Sequence, residues 1–188
     1  MIEICGGYQM LGKLVEDPAA VESQRSRIEG LGLLPVKTVF DPRKRLVRVE
    51  AECLLPGLEG VLVRGYEIHQ GRSHIEGAAS PAFRIRWEFG GGADAIDGAA
   101  LGVECFGTYL HGLFDHVAFR RGYLNAVRAR KGLEPLPVHA YDTRPKDFDQ
   151  LADWLRDSVD MAALERVVGL PLRTTIGDAD PAPPNKER

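Results

Sequence analysis

Two stretches of the chain alternate strictly between apolar and charged positions. In Val47-Arg48-Val49-Glu50-Ala51-Glu52-Cys53 the odd positions are apolar and the even ones charged, and Phe83-Arg84-Ile85-Arg86-Trp87-Glu88-Phe89 repeats the pattern. A period of two gives a strand one buried and one wet face, as in antiparallel sheet or at a sheet edge. Pro56-Gly57, Glu76-Gly77 and Gly90-Gly91-Gly92 punctuate these strands as turns. Residues 2–5 predict a short buried strand; Gly6-Gly7 follows, and Tyr8 to Val15 predicts a helix stopped by Asp17-Pro18. Val103 to Leu110 predicts a continuous buried strand that ends in His111-Gly112. Phe119, Tyr123 and Val127 recur at helical spacing, with Gly132 as a stop. Thr143-Arg144-Pro145 opens a further helix with a stripe of Phe148, Leu151, Trp154 and Leu155, and Met161 to Val168 is a short last helix.

Composition narrows the class. The chain has 188 residues, 44% of them apolar, enough for one sizeable core. Lys plus Arg is 24 and Asp plus Glu 27, a net charge of −3, so neither nucleic acid nor an anionic membrane is an expected partner. No apolar run reaches the ~20 residues that cross a bilayer, and Met1-Ile2-Glu3-Ile4-Cys5 has no basic start or long apolar stretch of a signal peptide. Cys5, Cys53 and Cys105 stand far apart, which argues against a zinc ribbon or a disulfide scaffold and for free thiols in the cytoplasm. From Thr174 onward Asp, Pro, Asn, Lys and Glu dominate, so Pro181 to Arg188 reads as a disordered tail.

Most short motifs reduce to ordinary structure. Gly7-x4-Gly12-Lys13 approaches a phosphate-binding loop, but Leu14 stands where Ser or Thr must hold magnesium. Gly30-x-Gly32 lacks the third glycine of a dinucleotide fingerprint, Pro35 taking its place, and reads as a turn. The histidines (His69, His74, His111, His116, His139) have no metal-ligand spacing.

Ile2-Glu3-Ile4-Cys5-Gly6-Gly7-Tyr8-Gln9 is different. A strand, a cysteine, two glycines and a helix are the parts of a nucleophile elbow, in which a strained turn lifts the sulfur clear of the sheet. The helix N-terminus then favours the thiolate, and the Gly6 N–H can donate to an oxyanion. The alternative is an ordinary buried cysteine. His111, at the end of an apolar strand, can meet Cys5 at one sheet edge as proton shuttle to the nucleophile. Its alternative is a buried, hydrogen-bonded imidazole.

Cys5-Gly6-Gly7-Tyr8-Gln9-Met10-Leu11-Gly12 resembles the nucleophile motif of class I glutamine amidotransferases, in the cobyric acid synthase branch. Gly30 to Val36, Gly65-Tyr66-Glu67-Ile68-His69-Gln70-Gly71 and Gly107-Thr108-Tyr109-Leu110-His111-Gly112-Leu113-Phe114-Asp115 are similar to that branch in the same order, as are His139-Ala140-Tyr141-Asp142 and Leu151 to Leu155. The resemblance implies an α/β, flavodoxin-like fold: a mostly parallel sheet flanked by helices, with an antiparallel extension near residues 45 to 90. It implies one amidotransferase domain over 1–170, followed by a tail over 171–188. Cys5 matches the nucleophile that forms a γ-glutamyl thioester, His111 its base, Gly6 an oxyanion donor, and Gln9 a contact to bound glutamine. Leu113 stands where other class I members carry an acid, so a dyad is expected. Glu67 and His69 match a family signature, for which a structural loop and a substrate contact both stand open.

The resemblance further implies no metal or cofactor in this domain, and ATP with Mg2+ in a synthetase domain upstream. Ammonia made at Cys5 would pass there to carboxylates of cobyrinic acid a,c-diamide, in cobalamin biosynthesis. Neither that domain nor the opening amidotransferase strands, with a second oxyanion donor, match this sequence, which is therefore expected to be truncated at its N-terminus. Glu3 also stands where the family has a small residue. Two other functions remain open: a non-catalytic fragment or partner subunit that keeps the fold, and another elbow-cysteine amide hydrolase.

Overall fold

In the computed structural model, which describes residues 1–138 and 144–169, strand β1 (Ile2–Ile4) stops at Cys5, where the backbone turns left-handed with φ 58°. Helix α1 (Gly6–Leu11) starts at once and ends short of Val15, because Gly12 is extended and Leu14–Glu16 forms strand β2. Strands β3 (Arg27–Glu29) and β4 (Val36–Val39) follow. The loop between them caps α1: Leu31 N–H donates to Met10 O (2.8 Å), Gly32 N–H to Gly12 O (2.9 Å) and Leu34 N–H to Leu11 O (2.9 Å). These are carbonyls that a helix end leaves without intrahelical partners. Gly30-x-Gly32 is thus a docking turn, and a Cβ on Gly30 would strike Gly12 O.

The alternating stretches become β5 (Arg45–Cys53) and β8 (Phe83–Glu88), with β6 (Leu62–His69), β7 (Arg72–Ile75) and β9 (Gly91–Asp97) beside them. Val49, Ala51 and Cys53 are buried and Arg48 is exposed, as the period demands. The alternation breaks in β8. A bulge between Ile85 and Trp87 leaves Trp87 exposed and aligns Glu88 with Val49 on the inner face. The apolar run after residue 98 divides into β10 (Ala99–Gly102), β11 (Cys105–Thr108) and β12 (Leu110–His111), and α2 (Val117–Arg130) completes the first unit.

Three sheets result, with strand orders β1-β11-β10, β12-β6-β5-β8-β9 and β3-β2-β4-β7. The α/β class holds, with mixed sheets in place of a mostly parallel one. Among the described residues two of nine pairings are parallel, β1–β11 and β2–β4. The cause is connectivity: an eight-residue loop joins β5 to β6 and a two-residue turn β8 to β9, and connections this short return the chain antiparallel beside the strand it left. The antiparallel extension near 45 to 90 is present. Its inner face packs Val49, Ala51, Val63, Phe83 and Ile85 with Phe106 and Phe119, while Tyr8, Leu11, Leu34, Val36, Ala99 and Tyr109 form a second cluster around α1.

The chain divides into two compact units, Met1–Tyr141 and Asp142–Arg188. The second contains α3 (Arg144–Ser158) and α4 (Met161–Val168). The stripe Phe148, Leu151, Trp154 and Leu155 on α3 is exposed. Asp160 caps α4 by accepting Ala163 N–H at 3.0 Å, and Gly169 ends it with φ 70°. The expected tail, 171–188, lies outside the described residues, as do His139-Ala140-Tyr141-Asp142 and Thr143. No described helix is long and apolar enough to cross a membrane.

Candidate active site

Cys5 occupies a strained corner. A non-glycine residue at φ 58°, ψ −115° costs of order 1–3 kcal/mol, and such strain gathers at functional sites. The corner is held on both sides: Cys5 N–H donates to Thr108 O of β11 at 2.9 Å, and Cys5 O accepts Gln9 N–H of α1 at 3.1 Å. Its half-buried thiol donates to Ile68 O of β6 at 3.3 Å. Of the two glycines that follow, only Gly7 is crowded, by the movable end of the Glu3 side chain; a Cβ on Gly6 meets nothing within 4 Å.

His111 arrives on β12, which pairs antiparallel with β6 so that Leu110 faces Glu67 and His111 faces Tyr66. Its ring stacks on Tyr66, centroids 4.9 Å apart and planes within 7°. Its Nε2 is buried and has no hydrogen-bond partner among the described residues. Buried polar atoms are nearly always paired, so an orphaned ring nitrogen calls for a functional account. Cys5 and His111 each meet β6, the sulfur at the Ile68 carbonyl and the imidazole beside Tyr66.

Gln9 is buried on α1 with its amide nitrogen engaged, donating to Gln70 O at 2.9 Å and to the Tyr109 hydroxyl at 3.2 Å. Gly6 opens α1 directly after the sulfur-bearing residue. Tyr109 ties this region together: it bonds Ser73 at 2.6 Å, and Ser73 bonds Thr38 at 2.7 Å. His69 stacks on Tyr109 with centroids 3.7 Å apart, and its Nδ1 lies 3.1 Å from Gly71 O. Burial, with lesser repulsion from Arg45 and His111, pushes the His69 imidazole down to about 4, so it is neutral at physiological pH.

Glu67 is buried against Arg45, which also pairs with Glu88. Burial outweighs the guanidinium and lifts the Glu67 carboxyl above its ordinary range. This triplet answers half of the open question about Glu67: it holds neighbouring strands together. A cleft of about 840 Å³ opens beside it, lined by Tyr8, Glu67, His69, Ser73, Asp97 and Tyr109 among others. Neither Cys5 nor His111 lines that cleft. Among the described residues no three His, Cys, Asp or Glu side chains converge to hold a metal ion.

Two features escaped the sequence analysis. Asp97, buried at the end of β9, accepts hydrogen bonds from the Thr108 hydroxyl and from Tyr109 N–H. Its one sequence signal is the Asp97-Gly98 pair, a turn dipeptide. The Arg45–Glu67–Glu88 triplet depends on the β8 bulge, and no local pattern announces it.

Residues 1–119, from β1 through Cys5 and His111 into α2, match the model of the CobB/CobQ-like glutamine amidotransferase domain. The chain belongs to that amidotransferase family. It is similar to the cobyric acid synthase of Dehalococcoides mccartyi, 41% identical over 179 residues, covering 92% of this chain and 35% of the relative. A cobyric acid synthase of Clostridium botulinum is 40% identical over 172 residues, 90% of this chain and 35% of its own length. A probable cobyric acid synthase of Thermococcus kodakarensis is 43% identical over 171 residues, again 90% of this chain and 34% of its own. This amidotransferase chain thus spans about a third of the length of the curated relatives it matches.

Proposed function

We propose that the chain is the glutaminase part of a cobyric acid synthase, with Cys5 as nucleophile and His111 as its base. The observation that carries this reading is that a strained elbow cysteine and a histidine whose buried Nε2 has no partner among the described residues both lie against β6. His111 Nε2 takes the thiol proton, and the thiolate attacks the side-chain carbonyl carbon of glutamine. The carbonyl electrons move to oxygen, where the Gly6 N–H donates to the oxyanion. As the intermediate collapses, the C–N bond breaks and the imidazolium gives its proton to the leaving nitrogen, releasing ammonia. Water then attacks the γ-glutamyl thioester, His111 accepts a water proton, the C–S bond breaks, and the proton returns to the sulfur with release of glutamate. Two groups suffice for the relay, which fits Leu113 in place of a third acid.

Gln9, with its amide nitrogen held by Gln70 O and Tyr109, contributes by fixing the wall on which glutamine binds. The ammonia goes to carboxylates of cobyrinic acid a,c-diamide, activated with ATP and Mg2+ by a synthetase domain in the longer protein, during cobalamin biosynthesis. Three unpaired thiols favour a cytoplasmic setting. In the intact protein, Cys5→Ser should cut glutamate release by ~10⁴ or more, with ammonia-dependent amidation kept, while Cys53→Ala and Cys105→Ala keep hydrolysis. Glutamine-dependent amidation that survives Cys5→Ser refutes the assignment.

A further inference from the structure

We propose, on the footing of the hydrolysis described above, that Asp97 is a positioning residue which fixes the corner between β11 and β12 and thereby sets His111 against Cys5. The chain changes sheets at that corner. β11 pairs with β1, the strand that delivers Cys5, while β12 pairs with β6 in a different sheet, and only Tyr109 separates the two. Whatever holds Thr108 and Tyr109 therefore sets the nucleophile and its base relative to each other.

Thr108 is the hinge of the arrangement. Its carbonyl accepts Cys5 N–H at 2.9 Å. Its hydroxyl accepts Leu110 N–H, next to His111, at 3.0 Å and donates to Asp97. A hydroxyl has one proton; giving it to Asp97 leaves the lone pairs for Leu110. Asp97 also takes Tyr109 N–H at 3.1 Å, so one carboxylate orients two consecutive residues of the corner. Asp97 is itself held in place. Gly98 turns with φ +73°, and a Cβ there would strike Gly107 O and lie 3.0 Å from Ala82 Cβ.

The groups facing Asp97 are Thr108 and Tyr109 at the corner, Gly98 N–H beside it, Glu67 of β6 and Tyr8 of α1. Burial, with added repulsion from Glu67, lifts the Asp97 carboxyl to about 6 despite its hydrogen-bond donors. A buried carboxylate with no cation facing it among the described residues is a costly way to pin a turn, and a neutral side chain of the same shape should do if packing were all.

The test uses the reactivity of Cys5 toward iodoacetamide, followed by peptide mass spectrometry, beside glutamine kinetics. Asp97→Asn keeps the shape, and its Oδ1 can still take Tyr109 N–H, but its amide cannot accept the Thr108 proton. We expect it to fold, to slow Cys5 alkylation at neutral pH by about tenfold, as His111→Ala should, and to lower kcat by ~10–100-fold. KM should stay within about twofold, because only the reacting geometry moves. Thr108→Val should reproduce the defect and Thr108→Ser should not. The Asp97→Asn/Thr108→Val double variant should be no slower than the worse single, since both act through one hinge. Should Asp97→Asn fail to fold, the Thr108 pair decides.

Wild-type alkylation in Asp97→Asn, with His111→Ala slowed, overturns the proposal, and so does Thr108→Ser as slow as Thr108→Val. So does a His111→Ala variant that alkylates at the wild-type rate. A chain whose Cys5 reactivity depends on His111 and Asp97 but which releases no glutamate supports the positioning role and refutes glutamine as substrate.

Discussion

Gly65 offers a direct probe of how closely β12 must approach β6. Its backbone is not left-handed, so an alanine there is penalised by space alone. The added Cβ would fall far inside contact with His111 O, 3.3 Å from the carbonyl carbon of His111 and 3.0 Å from Leu110 Cδ1. The obstacle is mostly backbone and cannot swing aside; β12 must shift, straining or breaking its register of Leu110 on Glu67 and His111 on Tyr66. Overpacking of this kind costs ~1–3 kcal/mol, and a lost ladder hydrogen bond about 1 kcal/mol more. For a unit of this size a loss of ~2–4 kcal/mol lowers the melting temperature by roughly 6–16 °C. Gly92→Ala is the control, with open space around its Cβ and no left-handed φ; it should leave melting unchanged or slightly raised. Thermal melting by circular dichroism and the rate of Cys5 alkylation should fall together in Gly65→Ala. A variant that melts and alkylates as wild type does would show that β12 is not packed on β6 at the distance described.

Two further outcomes follow from the buried charges. Arg45→Ala leaves Glu67 buried without its cation and should cost ~1–3 kcal/mol, less than the ~3–5 kcal/mol of a fully buried pair because Arg45 is partly exposed. Adding Glu67→Gln should recover part of the loss in urea unfolding, and purely additive losses contradict the pairing. Asp97 has its carboxyl raised from 3.8 to about 6, so the folded chain binds more protons than the unfolded one between those values. Its contribution is complete below pH 3.8 and is lost as pH rises to about 6, by about 3 kcal/mol. His69 works in the opposite sense: its lowered value means a contribution present above 6.5 and lost as pH falls toward 4. The difference in unfolding free energy between wild type and Asp97→Asn isolates the Asp97 part, and a difference constant across that interval refutes the raised carboxyl.

The period-two stretches announced β5 and β8 because one face of each lies on the apolar core, and the elbow was visible because a strained turn needs small neighbours beside a reactive side chain. Trp87 and Glu88 were misplaced for a physical reason: a bulge changes which face a residue takes without changing the residues, so the alternation runs on past the point where it stops applying. The apolar pattern carries helix α1 too far because Leu14 and Val15 are as apolar in a strand as in a helix; Gly12, held near Val36 O, decides between them. Strands of three or four residues, such as β2 and β3, carry too few positions to show a period. The sequence puts Cys5 and His111 at strand ends, and the structure sets each against β6. Asp97, Tyr109 and the Arg45 triplet could not be found there, since their roles rest on contacts between distant elements.

The central claim is that Cys5 acts as a glutamine-directed nucleophile with His111 as its base. A glutamine analogue with a thiol-alkylating group, applied with and without glutamine and followed by peptide mass spectrometry, tests it most directly. A single modified cysteine, Cys5, is expected, protected by glutamine and slowed by His111→Ala, with Cys53 unlabelled because it is fully buried and its thiol is pushed up to about 11. Labelling that falls on Cys105 or Cys53, or labelling of Cys5 that glutamine does not protect, contradicts it.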